Sequence, residues 1–279
     1  MVRSRVRRLG MVVLTSKEIK TQERQSSKGN QLKWCKDGIW YKADYTGYEG
    51  FAEYVISNLL KKSNIPEELL CIYDTETIRY GNVTYNGCKS EEFLKNGQQL
   101  ITLERLYKNV YGQSLYTSVF RIDDYKERLE FLVKSASKIT GIEDFGKYIS
   151  ILFAIDALFL NEDRHTHNIA VISDNKSYSL CPIFDNGAGL LSDTTMDYPM
   201  GMDILEAIDS VESKTICEDF DEQLDIAEQL YGNSIKFSFD KKDVENIIDS
   251  DTVYDAEVKE RVKKVLFDRM RKYSYLFTK

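Results

Sequence analysis

Asn161-Glu162-Asp163-Arg164-His165-Thr166-His167-Asn168-Ile169, followed further on by Pro182-Ile183-Phe184-Asp185-Asn186-Gly187, is the part of the chain whose reading decides the rest. It comes directly after Asp144 to Leu160, which reads as a helix apolar nearly all round and therefore buried. Polar residues in a row at the end of such a support are costly unless something binds them, because buried polar groups need partners. Asp163 and Asn168 stand five residues apart, and Asp185 follows 22 residues after Asp163 with Gly187 two beyond. Two short strands, Ile169 to Ile172 and Tyr178 to Leu180, with the turn Ser173-Asp174-Asn175-Lys176 between them, would return Asp185 to the side of Asn168.

Phosphoryl transfer accounts for this spacing. Protein kinases carry a catalytic Asp, a Mg²⁺-binding Asn five residues on, and a second Mg²⁺-binding Asp ahead of a Gly. Asp163 then reads as the base for a substrate hydroxyl. Asn168 and Asp185 read as hard oxygen ligands for Mg²⁺, which takes its remaining ligands from ATP phosphates and water. The order of residues is not that of ordinary protein kinases: Asp-Arg-His stands where they have His-Arg-Asp, and Asp-Asn-Gly where they have Asp-Phe-Gly. Two blander readings compete. Asp and Asn are common turn residues, and the only two histidines, His165 and His167, could form a zinc or iron site with Asp163 or Asp185.

In Asn-Glu-Asp-Arg-His-x-x-Asn-Ile and Pro-Ile-Phe-Asp-Asn-Gly-Ala-x-Leu-Leu-Ser-Asp the chain resembles the bacterial HipA-like Ser/Thr kinases, especially their compact single-chain branch. The resemblance runs from about Ser26 to the C-terminus, although only these two motifs are specific. It implies an atypical protein-kinase fold that uses ATP and Mg²⁺, with Asp163 as base and Asn168 and Asp185 as metal ligands. It further implies that Lys42, on a strand from Ile39 to Ala43, grips the α- and β-phosphates. Glu53 on the next helix would hold Lys42, with Glu49 as the competing choice. Arg164 and His165 would be partners of the loop, His165 on the nucleotide side, and His167 would face solvent. Ser26-Ser27-Lys28-Gly29-Asn30 takes the place of the phosphate-covering loop, with Ser27 and Gly29 as contacts and Ser26 or Ser27 as an autophosphorylation site. The adenine hinge falls near Gly87-Cys88-Lys89-Ser90, giving Cys88 and Ser90 as contacts. Implied partners are a protein with a Ser or Thr acceptor and an antitoxin-like protein. A small-molecule or lipid-headgroup kinase, and a non-catalytic nucleotide-binding component, stay open as alternatives.

The surrounding pattern agrees with an α+β fold. Gln31 to Trp34 and Ile39 to Ala43 read as strands joined by the turn Lys36-Asp37-Gly38. Gly50 to Lys61 reads as a helix stopped before Pro66. Cys71 to Tyr85 suggests a second hairpin turning at Tyr80-Gly81-Asn82-Val83. Asp123 to Ile139, Asp144 to Leu160 and a long final stretch from Tyr254 read as helices. Strands first and helices later predict a small β-rich N-terminal lobe and a larger, mainly helical C-terminal lobe. The expected division is an N-terminal extension over 1–20, an ATP-binding lobe over 21–105 and a catalytic lobe over 106–279.

Composition narrows the function classes. The chain has 279 residues, 42% apolar and 30% charged, enough for a sizeable core. A formal net charge of -7 argues against direct nucleic-acid binding, which needs clustered Lys and Arg, yet a cleft can be locally positive. Five cysteines without a C-x-x-C pair are unlike a disulfide framework and fit a reducing cytoplasm, with secretion as an effector left open. No apolar run approaches the ~18 residues of a membrane span. Arg3, Arg5, Arg7 and Arg8 read as a solvated basic arm rather than a secretory leader.

Overall fold

Five strands build the sheet of the N-terminal lobe: β1 (Val12–Leu14), β2 (Lys33–Lys36), β3 (Ile39–Ala43), β4 (Tyr73–Tyr80) and β5 (Val83–Glu91), in the order β1-β4-β5-β3-β2. This computed structural model describes residues 11–20 and 31–278. The expected phosphate-covering segment, with Ser26, Ser27 and Gly29, lies outside the described residues. The β2–β3 hairpin turns at Asp37 and Gly38, both with positive φ (52° and 76°), the pattern of a two-residue turn matched to strand twist. Its register pairs Lys36 with Ile39 and, three residues further along each strand, Lys33 with Lys42. The β4–β5 hairpin turns at Gly81-Asn82, where the sequence predicts it. Val12–Leu14 adds a parallel strand beside β4, so part of the expected extension over 1–20 belongs to the sheet.

Helix α1 (Glu49–Leu60) lies against β4 and β5. Its Phe51, Ala52, Val55, Ile56, Leu59 and Leu60 are all buried, and each large side chain among them contributes about 1.5–3 kcal/mol. The helix ends well ahead of Pro66, which opens a single 3₁₀ turn over Glu67–Leu69.

β5 stops at Glu91, and the chain then crosses to a second sheet of β6 (Gln99–Thr102), β7 (Ala170–Ser173) and β8 (Tyr178–Leu180), antiparallel throughout. Around it stand α2 (Leu103–Tyr111), α3 (Leu115–Phe120), α4 (Tyr125–Thr140), α5 (Phe145–Phe159), α6 (Ile204–Asp209), α7 (Phe220–Tyr231), α8 (Lys241–Ser250) and α9 (Ala256–Lys272). Side-chain caps fix many of the helix starts: Thr102, Ser114, Asp124, Asp219, Asp240 and Asp255 each accept from a backbone N–H in the first turn. α5 is buried on all sides, packed by α4, α7 and α9, and is the rigid support expected for the loop after it. The architecture is α+β, with a small β-rich lobe and a larger helical lobe, as the sequence pattern predicts.

Candidate active site

The carboxylate of Asp156, in the last turn of α5, is fully buried and must find a cation. It finds Arg164, whose Nε and Nη2 lie 3.0–3.2 Å from its oxygens. Burial would lower the Arg164 guanidinium, but Asp156 outweighs it and raises it; burial likewise pushes the Asp156 carboxyl up against the pull of Arg164. Arg164 spends its other donors on the carbonyls of Asn168 and Phe184 and on Asn186 Oδ1, at 3.3, 3.1 and 2.6 Å. One guanidinium therefore joins the helix end, the loop 161–168 and the segment 184–186. Leu160, the residue between helix and loop, sits at φ 54°, a left-handed turn for which a leucine is strained by about 1–2 kcal/mol. α2 holds the loop from its other side. The N–H groups of Leu103 and Glu104 donate to the carbonyls of Ile169 and Thr166, and Glu104 Oε2 accepts from Thr166 Oγ1 at 2.9 Å.

Asn168 Nδ2 donates to the carbonyl oxygen and to Oδ2 of Asp163, at 2.8 and 2.9 Å. That commits its nitrogen and leaves the amide oxygen as the end suited to a hard cation. Across the cleft, Lys42 on β3 places Nζ 2.6 Å from Glu53 Oε1 and 2.8 Å from Asp185 Oδ1. Glu53 Oε2 accepts the N–H of Asn186 at 3.0 Å, which ties α1 to the Asp-Asn-Gly segment. Burial would lower the Lys42 ammonium, but Asp185 and Glu53 outweigh it and hold it well above the usual lysine range. Burial raises the Asp185 carboxyl, and Lys42 first, then Lys33 and Arg164, pull it well below the usual carboxylate range. Asp185 takes φ 59°, a left-handed conformation that Asp tolerates better than most residues. Glu49, the competing choice, accepts from the N–H groups of Tyr45, Thr46 and Gly47 and holds the turn ahead of α1 instead.

Lys33, Lys42, Ser90, Asn168 and Asp185 line a cavity of about 330 Å³ between the lobes, with Trp40, Tyr73, Phe93, Leu100 and Phe184 as its apolar walls. The size and the mix of apolar walls with a few converging charges suit a nucleotide. Asp163 opens instead to a smaller adjoining cleft that Asp185 shares, together with Tyr45, Glu49, Ser192 and Asp193. Asp185 thus stands where the two clefts meet, with Asp163 on the wall of the smaller one.

Two expected contacts fall elsewhere. Cys88 lies inside β5, paired with Lys42 and Thr75 and fully buried, and it does not line the cavity. The strand continues through Gly87-Cys88-Lys89-Ser90, and the chain leaves the sheet only after Glu91, so the crossing between lobes comes later than the sequence suggests. His165 does not line the cavity either. Its Nδ1 accepts the N–H of His167 at 3.2 Å, so the neutral ring carries its proton on Nε2, 3.6 Å from Asp163 Oδ1. Burial lowers the His165 imidazole, which keeps it neutral near pH 7. His167, expected to face solvent, is exposed and sits with Arg105 on the rim of the cavity. The two rings meet edge to face with centroids 5.3 Å apart, and no group of three or more His, Cys, Asp or Glu able to hold a metal occurs among the described residues.

The fold has counterparts among solved structures. The chain is similar to the proinflammatory kinase CtkA of Helicobacter pylori, with a TM-score of 0.61, 17% identity and coverage of 94% of this chain and 95% of that one. The fold is that of a HipA-like kinase. A further similarity is to a structure of HipA and HipB, a toxin–antitoxin system of Shewanella oneidensis, with operator DNA (TM-score 0.45, 11% identity, 91% of this chain and 63% of that one). No family profile matches the chain, and no curated protein matches it in sequence.

Within this HipA-like fold, Lys33 is a buried cation of the cavity that sequence reasoning missed. A two-residue turn at Asp37-Gly38 makes the register countable, and counting back from it sets Lys33 opposite Lys42. Two lysines directly opposite repel. Lys33 is nonetheless only 5% exposed, which is tolerable beside Asp185 and well suited to a polyanion. The Asp156–Arg164 pair was also readable, since a carboxylate in an otherwise apolar helix requires a cation at the helix end.

Proposed function

We propose that this chain is an ATP-dependent protein kinase that transfers the γ-phosphate to a Ser or Thr hydroxyl. The observation that carries this reading is the Lys42 ammonium held between Glu53 and Asp185, 2.6 and 2.8 Å away, on the wall of a cavity that also receives Asn168. Lys42 and Lys33 supply positive charge for the phosphates, and the apolar walls take the adenine. The amide oxygen of Asn168 and the carboxylate of Asp185 are hard donors that fit Mg²⁺. Bound there, Mg²⁺ would neutralise charge on the phosphates. Asp163, in the adjoining cleft, orients the acceptor hydroxyl and takes its proton, while the Asn168 amide fixes the carboxylate in place. Glu53, 2.6 Å from the Lys42 ammonium, keeps it at the cavity wall when Asp185 turns to the metal.

Autophosphorylation at Ser26 or Ser27, an antitoxin-like partner and a cytoplasmic location belong to the same proposal. They rest on the motif resemblance and, for location, on five free thiols. No helix among the described residues is long and apolar enough to cross a membrane. The test is incubation of the purified protein with Mg²⁺ and γ-labelled ATP, wild type beside Asp163→Asn, followed by phosphosite mapping. Label at Ser or Thr on the wild type alone supports the proposal. ATP binding without any phosphoprotein points to a small-molecule acceptor or a non-catalytic role, and absence of ATP binding ends the kinase reading.

A further inference from the structure

Tyr254 belongs to neither motif and lines neither cleft, yet it reaches the helix that carries Glu53. Its hydroxyl donates to Asp44 Oδ2 at 2.7 Å, and the N–H of Gly50, in the first turn of α1, donates to Asp44 Oδ1 at 2.7 Å. Asp44 follows Lys42 by two residues, so one carboxylate joins the strand of the lysine, the start of the glutamate's helix and the C-terminal segment. The Tyr254 ring packs on Phe51, with centroids 4.8 Å apart. On the far side of Glu53, the hydroxyl of Tyr54 donates to the Ile247 carbonyl at 3.1 Å and lies 3.0 Å from Ser250 Oγ. Contacts at residues 50, 51 and 54 therefore bracket Glu53. Asp251 fixes the segment in turn, accepting the N–H groups of Val253 and Tyr254 and the hydroxyl of Thr75 on β4. α1 has no slack at Gly50 either, because a Cβ there would come 2.5 Å from the Gly87 backbone on β5.

We infer that Tyr254, acting through Asp44, is a positioning residue for phosphoryl transfer: it seats the first turn of α1 so that Glu53 meets Lys42. This rests on the reading of Lys42 as the phosphate-gripping lysine. Tyr254→Phe removes one hydroxyl and keeps the ring against Phe51. Dissociation constants for Mg²⁺-ATP, measured by calorimetry on wild type, Tyr254→Phe, Glu53→Gln and the double variant, form a closed cycle. Tyr254→Phe weakens binding by about three- to tenfold, the scale of one buried hydrogen bond. It has little effect once Glu53 is Gln, because it works through that carboxylate. A purely structural role would give an effect of equal size in both backgrounds, and that result overturns the inference, as does unchanged affinity in Tyr254→Phe. A wild type that binds no Mg²⁺-ATP overturns the kinase reading and the inference with it. Should Tyr254→Phe fail to fold, Asp44→Asn enters the same cycle, with the same weakening and the same dependence on Glu53 expected; full affinity there overturns the proposal.

Discussion

Lys42, Glu53 and Asp185 form a buried cluster of one cation and two anions, and their pH behaviour follows from the direction of each shift. Asp185 is held below the ordinary carboxylate range, so its stabilising contribution is complete above about pH 4 and is lost as the pH falls through its folded value. Lys42 is held above the ordinary lysine range, so its contribution is complete at neutral pH and is lost only as the pH rises through its folded value. Lys42→Met removes the cation that both carboxylates contact. We expect it to lose about 3–5 kcal/mol at pH 7, the scale for breaking a buried pair. Urea unfolding of wild type and variant at pH 7 would show the loss. Asp44 runs the other way. Burial first, and Glu49 second, push its carboxyl up to about 8, so the folded chain keeps a proton that the unfolded chain has released. Its contribution is complete below about pH 4 and falls as the pH rises through about 8. The melting temperature should therefore decline between pH 6 and 9, and Asp44→Asn should flatten that decline; equal slopes would contradict the assignment.

Among elements, α1 carries Glu53 and the loop 161–168 carries Asp163 and Asn168, and each is fastened by a feature outside the motifs. α1 depends on two glycines meeting back to back. Alanine at Gly50 would gain about 1 kcal/mol of helix propensity, but its methyl would face unyielding Gly87 backbone 2.5 Å away. Overpacking of this kind costs about 1–3 kcal/mol. Gly50→Ala should therefore lower both the urea midpoint and the affinity for Mg²⁺-ATP, whereas a stability gain would show that α1 can shift freely. The loop depends on Asp156, and Asp156→Asn should destabilise by about 3–5 kcal/mol in the same unfolding measurement because it strands the Arg164 guanidinium. Elements were legible where local chemistry decides them. Asp37-Gly38 and Gly81-Asn82 announce their hairpins, and the nearly all-apolar run before Leu160 announces α5. Short pieces were not legible. Val12–Leu14 and Gln99–Thr102 are strands only because β4 and β7 offer them partners, a tertiary effect that no local propensity encodes.

The molecule as a whole places two clefts about Asp185, one with apolar walls and two lysines and one facing Asp163. Asp163, Asn168 and Asp185 were singled out by their spacing along the chain, and Lys42 by the family resemblance alone; the structure brings the four to the two clefts. The walls of the cavity were not legible, because Trp40, Tyr73, Phe93, Leu100 and Phe184 come from five separate segments and meet only after the lobes close on each other. The position of the crossing was misjudged for a similar reason: β5 runs past Cys88 because Gly87 and Cys88 are paired on both sides, to β3 and to β4. The central claim is that Asp163 serves the transfer step while the cavity beyond it binds ATP. Mg²⁺-ATP affinity and single-turnover phosphate transfer, measured side by side on wild type and Asp163→Asn, test it most directly. The account predicts nearly equal affinity and transfer slowed by about 10²–10⁴-fold; transfer at the wild-type rate in Asp163→Asn would contradict it.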